Sequence, residues 1–433
     1  MVISNKRMTT THILLVLILV VMFIPISFSN VRVMGMVLTS ERLLIPVLAL
    51  LAFLNRFSLK TTTNRTAVEW IVFFVVWIAI GFFLMFSSEY VKFNDGLKEM
   101  LSIILAFLTS YLLINIFKEK EYITFSINVV KAILVVSIVF ALFEIITNKH
   151  LPTSYFTLEP VLYMNKGATF FYYGVNDFSS FITLLCPVFF FTNKTIRHNV
   201  FSTICLLLIF YINTVNDARF CILAMLLGFV IALLLVKKMS PQKVLVIIIC
   251  LLLFLSFIYI LHEYTSYNSI FISTFQEKLQ DEIFGFYRRN GSVYLRLMTY
   301  LESFIASSQN FFFGYGPDSF RNYFTAHPSA SSLVNPHSMF LEVLFNYGLI
   351  IMLLLVYFIF KLIKYGIKYF KQEGRIEYVI VVVMMFAYII VSFAPSNFIS
   401  YSYQWYPFVL GVCLLNGSMK YKRNRQIEHS NLN

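Results

Sequence analysis

The sequence predicts an all-α polytopic membrane protein of about 12 transmembrane helices, with a large, partly helical extracytoplasmic loop between the ninth and tenth. Three observations carry that expectation. Of 433 residues, 59% are hydrophobic and 13% charged, against about 45–50% and about 25% in an ordinary soluble domain. Mean hydropathy is +0.78. Apolar runs of about 17–25 residues, enough to cross about 30 Å of hydrocarbon, recur along the whole chain. A water-soluble fold has too little interior to hide so much apolar surface, and the same composition excludes disordered, collagen-like, coiled-coil and disulfide-stapled classes.

The expected spans are Ile13 to Phe28, Met34 to Leu54, Val68 to Phe86, Leu97 to Phe117, Ile127 to Thr147, Phe178 to Phe191, Val200 to Asn213, Arg219 to Val236, Val244 to Leu261, Ser338 to Phe360, Tyr378 to Phe393 and Ser402 to Leu415. Lys6 and Arg7 precede the first span, as in a signal peptide, but Ser27-Phe28-Ser29 is a poor small-residue cleavage site. The first span is therefore expected to stay as an anchor. Ser40-Glu41-Arg42 interrupts the second, and the sixth and seventh are short.

Charge orients the bundle. The net charge is +13, and with the N-terminus inside, 22 of the 34 Lys and Arg fall on inner segments, where positive residues concentrate. Among them are Lys237, Lys238 and Lys243 after the eighth span and Lys361, Lys364, Lys368 and Lys371 after the tenth. The excess therefore reads as a topology signal, with no nucleic-acid partner implied. Residues 1–261 form spans one to nine with an outer loop near 148–177, residues 262–337 the large outer loop, 338–417 the last three spans, and 418–433 a basic cytoplasmic tail. The large loop has apolar and aromatic periodicity, with helices expected near Ile270 to Phe284 and Ser292 to Ser308, so a folded cap over the membrane is expected. The inner loops are too short for a catalytic domain, which places any chemistry at the outer face. All five cysteines lie in apolar runs and show no disulfide or metal spacing.

The outer face holds the charges that topology does not require. Arg219, in Asn216-Asp217-Ala218-Arg219, opens an apolar run; it is an interfacial anchor or a partner to Asp217 on one reading, and an anion ligand facing a cavity on the other. Arg296 lies on the second loop helix, with Arg289 two turns away on the same face and Arg288 close by; it is either a solvated arginine or half of a bidentate diphosphate clamp. Asn335-Pro336-His337-Ser338 reads as an N-cap, a proline at the first helical position and a histidine in the first turn of the tenth span. A helix N-terminus opposes protonation there, leaving a neutral imidazole able to accept a proton. Glu342, one turn on, is an intramembrane carboxylate that needs a partner. Gly314-Tyr315-Gly316-Pro317-Asp318 reads as a structural turn, because no Gly-Lys-Ser/Thr follows to make a phosphate loop. Tyr294, Tyr300, Tyr315 and Tyr323 suit either sugar stacking or a membrane interface.

Several stretches resemble the O-antigen ligase and polysaccharide polymerase family. Asn335-Pro336-His337-Ser338-Met339-Phe340-Leu341 with Tyr347-Gly348-Leu349-Ile350 resembles its Pro-His-Asn…Gly-Leu-Ile signature. Gly167-Ala168-Thr169-Phe170 through Val175-Asn176-Asp177-Phe178, Ala218-Arg219, and Phe313-Gly314-Tyr315-Gly316 through Phe320 are similar to three further family segments, in the same order. Ser338, Val175 and Ala218 stand where the family usually has Asn, Pro and Ser, departures that bear on substrate positioning more than on reaction class.

The resemblance implies a GT-C-like, inverting glycosyltransferase of the bacterial cytoplasmic membrane, needing no metal or cofactor, with both termini cytoplasmic. Its substrates would be undecaprenyl-diphosphate-linked glycans, and export proteins are possible partners. His337 would be the general base and Arg219 and Arg296 the diphosphate ligands, supported by Arg289, Glu342, Asp177 and Asn335. The expected activity is polymerisation of lipid-linked repeat units into capsule, exopolysaccharide or O-antigen. The alternatives are a ligase within the family, a precursor flippase outside it, and a non-catalytic scaffold in an export complex. A flippase fits less well, since no self-similarity between halves of the kind common in transporters is visible.

Overall fold

The computed structural model describes residues 9–25, 27–33, 36–54, 65–117, 120–158, 167–190, 196–236, 292–328, 335–395 and 399–415. In chain order these form α1 (Thr10–Phe23), a hairpin of β1 (Ser27–Val33) and β2 (Met36–Thr39), α2 (Ser40–Leu54), α3 (Arg65–Ser87), α4 (Phe93–Ile116), α5 (Lys120–Thr147), the short α6 (Tyr155–Leu158), α7 (Val175–Leu185), α8 (Pro187–Phe190), α9 (Ile196–Val215), α10 (Arg219–Leu235), α11 (Ser292–Gln309), α12 (Phe320–Ala326), α13 (Met339–Glu373) and α14 (Ile376–Val391). A turn of 3₁₀ helix (Ser402–Trp405) then leads into α15 (406–415). Among the described residues, α3, α4, α5 and α13 are long and apolar enough to cross a membrane; α1, α7 with α8, residues 200–215 of α9, α10 and α14 are apolar but shorter.

Three expected spans are corrected. The first and second were expected to run through Phe28 and from Met34, yet α1 stops at Phe23 and residues 27–39 pair antiparallel, Ser27 opposite Thr39 and Val33 opposite Met36. Pro25 disfavours helix at the residue before it, and Val31, Val33, Val37 and Thr39 favour extended backbone. The sixth is two helices, since Pro187 interrupts the run after Leu185. The ninth span and the loop helix expected near Ile270 lie outside the described residues.

The tenth span is longer than expected and broken. α13 continues to Glu373, where Gly374 closes it in a left-handed C-cap at φ 66°, so Lys361, Lys364, Lys368 and Lys371 extend the helix beyond its apolar part. Inside it, Gly348 is non-helical at φ 85° and ψ 178°. That break frees backbone groups which a bilayer cannot hydrate, and the segment after α11 satisfies them. Leu349 N–H donates to Phe312 O at 2.9 Å, while Tyr315 and Gly316 N–H donate to Phe345 O and Asn346 O at 2.8 Å each. The Gly314 turn predicted from sequence is thus a plug for a broken helix.

Packing around the break is aromatic. Trp77 lies edge-on to Tyr347 at 5.4 Å, Trp70 stacks on Phe408 at 5.0 Å, and Trp405 joins both tryptophans. These rings tie α3, α13 and α15 into one buried cluster. Gly348→Ala tests the plug: an added Cβ would meet Phe313 O at 2.5 Å and Phe312 O at 2.6 Å, on a backbone with positive φ. We expect strain of about 1–3 kcal/mol plus a clash, read as a lower melting temperature in detergent by tryptophan fluorescence; an unchanged melting temperature would refute the plug.

Candidate functional site

α13 begins at Met339 with Ser338 as N-cap, so Asn335 is not the cap and His337 is not in the first turn. His337 has φ 48°, a left-handed backbone that cannot continue into a helix, and this moves the start three residues past Pro336. Met339 N–H donates to Ser392 O at 3.2 Å, fixing the helix start against the end of α14. The Tyr300 hydroxyl donates to His337 O at 3.1 Å, which ties α11 to the same turn.

His337 is largely buried. Its Nδ1 and the Oγ of Ser338 are enclosed and have no hydrogen-bond partner among the described residues. Burial first, and then the positive charge of Arg296, holds the imidazole down to about 4 from its ordinary 6.5. At neutral pH the ring is uncharged, with a lone pair free to accept a proton. The expectation of a neutral His337 agrees with this, though burial and Arg296 are the causes instead of a place inside the first helical turn.

Arg219 is the first residue of α10 and about half exposed, paired with Asp217 at 3.2 Å. That is the Asp217 pairing offered as one alternative from the sequence. The next residue, Phe220, packs towards the His337 end of the molecule through Phe393. Phe393, after α14, lies 6.0 Å from Phe220, 6.1 Å from Tyr300 and 6.4 Å from Phe340. One ring therefore gathers the starts of α10 and α13 and the Arg296 end of α11. Glu342 is buried in the first turn of α13, within electrostatic reach of Tyr347 and Tyr388. Tyr388 in turn donates to Gln404 Oε1 at 3.1 Å.

Asp177 is committed locally. Its Oδ2 accepts Gly174 N–H at 3.1 Å at the start of α7, Tyr401 bonds its side chain, and Tyr403 hydroxyl donates to its main-chain oxygen at 3.3 Å. Arg289 lies outside the described residues.

Sequence reasoning overlooked two buried carboxylates and one amide that hold the neighbouring backbone. Glu99 of α4 accepts the Tyr347 hydroxyl at 2.6 Å, Asn346 Nδ2 at 3.1 Å and Asp318 N–H at 2.9 Å, pinning the plug to the broken helix. Glu144 of α5 accepts Thr169 and Phe170 N–H at 2.8 Å each, with His150 Nδ1 3.4 Å away. Asn216 accepts Ala168 N–H at 2.8 Å and donates to Ala168 O at 3.0 Å and Ser179 Oγ at 3.0 Å. The signal was visible: each acid interrupts an apolar run, where an ionisable group needs a partner.

Asn216 anchors the turn that presents Arg219. Asn216→Ala would leave the buried Ala168 N–H and C=O unpaired, at about 1–3 kcal/mol for each. We expect a clear fall in thermal stability in detergent, whereas Asp217→Ala, at an exposed position, should fall by less than about 1 kcal/mol. Equal losses in the two variants would refute the anchor.

Residues 203–356 match the model of a family described as O-antigen ligase. The matched stretch contains Arg219, Arg296, His337 and Glu342, together with the plug and the helix break it fills, and leaves out Asp177. No curated protein matches the chain. Over residues 203–356 this membrane protein is therefore similar to the O-antigen ligase family.

Proposed function

We propose that the protein is a polymerase that joins undecaprenyl-diphosphate-linked oligosaccharide units into a surface polysaccharide. The observation that carries the reading is His337: enclosed, uncharged at neutral pH, without a hydrogen-bond partner at Nδ1 among the described residues, and within electrostatic reach of Arg296. In the proposed topology this junction faces the extracytoplasmic side of the cytoplasmic membrane and both termini are cytoplasmic.

His337 accepts the proton of the acceptor hydroxyl as that oxygen attacks the anomeric carbon of the donor sugar. The glycosidic bond to the diphosphate breaks, and the leaving diphosphate takes up the electron pair under the charge of Arg296, with Arg219 at the rim of the same junction. One in-line displacement inverts the anomeric centre and requires neither a covalent intermediate nor a metal. Donor binding also tunes the base. A diphosphate against Arg296 offsets the positive charge that depresses the imidazole, so His337 becomes a stronger base once the donor is in place. Glu342 supports the turn from within α13, and Arg289 would extend the anion site.

The second reading is a ligase that hands glycan from the same donor to a lipid or protein acceptor, and the match of residues 203–356 to the O-antigen ligase family favours it. Both share donor chemistry, so the product decides. Purified protein in vesicles with lipid-linked repeat units alone is expected to give elongated glycan. Transfer only when a second acceptor lipid or protein is added would establish the ligase, and neither product would refute both.

Two outcomes test the site. His337→Ala should lower turnover by about 10²–10⁴-fold, and Arg296→Ala by about 10²–10³-fold; activity within twofold of wild type in a folded His337→Ala protein would discard the base assignment, on the scale of about a hundredfold for such a group. The pH profile is equally specific. The kcat/KM value reports the free enzyme, in which His337 titrates at about 4. The neutral form is the active one, so the acid limb should lie near pH 4, well below the ordinary histidine value. Removing the charge in Arg296→Ala should move the limb upward, and a limb that stays put would show that Arg296 does not act on His337.

A further inference from the structure

α11 has its polarity reversed for a helix in water. Its buried face carries Thr299 (1% exposed), Ser303 (0%) and Ser307 (1%), while Leu297 (49%), Leu301 (53%), Phe304 (53%) and Ile305 (46%) form the opposite, exposed face. The buried hydroxyls recur every fourth residue, and each donates back to its own helix: Thr299 to Leu295 O at 2.8 Å, Ser303 to Thr299 O and Ser307 to Ser303 O at 2.8 Å. Small residues at that spacing let helices approach closely in a membrane, and back-bonded hydroxyls need no water.

The depth of α11 follows from its partners. Tyr300 bonds the His337 carbonyl, and Phe312, just past the helix end, bonds Leu349 N–H through its carbonyl while its ring lies tilted against Phe304 at 5.5 Å. The helix therefore runs beside residues 337–349, the first part of a span that starts at Met339. Tyr347 of that part lies against Trp77 and within reach of Gly81, well inside α3. The exposed stripe of α11 is thus level with the outer parts of two spans, one on the side of Ile350 and Leu353, which are themselves exposed at 60% and 53%.

We propose that α11 is seated in the bilayer leaflet at the His337 end of the molecule, with Leu297, Leu301, Phe304 and Ile305 against lipid acyl chains, and is not part of a cap in water. An amphipathic helix with such a stripe lies in the membrane boundary, and continuity with the lipid-facing side of α13 identifies lipid as the occupant. The inference stands independently of the reaction. It also puts Arg296, at the start of α11 and outside the stripe, at the polar edge of that leaflet.

The wild-type protein reconstituted in phosphatidylethanolamine and phosphatidylglycerol vesicles containing a phospholipid with a diazirine on its acyl chain provides the test. After photolysis and digestion, we expect label on Leu297, Leu301, Phe304 or Ile305 at a yield comparable to that on Ile350 and Leu353. Label on Ile350 and Leu353 with none on α11 would overturn the proposal. Should the unlabelled stripe be accompanied by a dimer in mass photometry, a second copy would be the occupant, and the proposal would again fall.

Discussion

The break at Gly348 is the constraint on which the site end of the molecule depends. A helix in a bilayer cannot leave main-chain donors and acceptors open, yet α13 opens its ladder a few turns inside the membrane. The structure closes it with the backbone of residues 312–316, and the carboxylate of Glu99 holds both sides of the joint through Asn346, Tyr347 and Asp318. The closure forces α11 to end beside Leu349. Because α11 also bonds His337 through Tyr300, the joint holds Arg296 within electrostatic reach of the histidine. A substitution at the joint therefore acts on the site without touching it.

The same logic recurs on the neighbouring side. Residues 168–170 form an irregular segment among spans, and two side chains stand in for the missing ladder. Glu144 accepts two consecutive amides, and Asn216 both accepts from and donates to Ala168. A carboxylate taking two or more fixed N–H donors is stabilised in place of hydration. Asn216 opens the turn that carries Arg219, so each arginine is set by a polar clamp on a helix interruption.

Apolar run length carried most of the architecture. The third, fourth and fifth spans, the helix of the eleventh and the helix from Ser292 were legible because periodicity and length reflect burial along one chain segment. What failed were features decided by a few residues against that background. Pro25 and four β-branched residues turn two expected helix ends into a hairpin; the left-handed backbone of His337 moves a cap from Asn335 to Ser338; Pro187 splits a run. Of the residues singled out from sequence, His337 lies within electrostatic reach of Arg296, and Phe220, next to Arg219, packs on Phe393. Glu99, Glu144 and Asn216 escaped notice because their role is to satisfy backbone from distant segments, and no local pattern encodes which amide a carboxylate will find. The facing of α11 escaped for a related reason. Its tyrosines and leucines suit water or lipid equally until the depth of its neighbours is known.

Intramembrane polar groups are usually taken as functional, and here saturation separates two kinds. Glu99 and Glu144 spend their lone pairs on fixed main-chain and side-chain donors, leaving little capacity for a substrate without breaking the fold. Asp177 is similarly bound by Gly174 and Tyr401. His337 Nδ1 and Ser338 Oγ are the reverse: enclosed, at the start of a long helix, and unbonded to the described protein. An enclosed polar atom without a partner costs about 1–3 kcal/mol, and such a cost is held in place only where the surrounding structure over-determines it. The Tyr300 bond, the Ser392 bond and the Phe393 contacts supply that constraint. That constraint, more than the bare presence of charge, sets His337 apart from the saturated carboxylates, and it is the observation on which its proposed role as base rests.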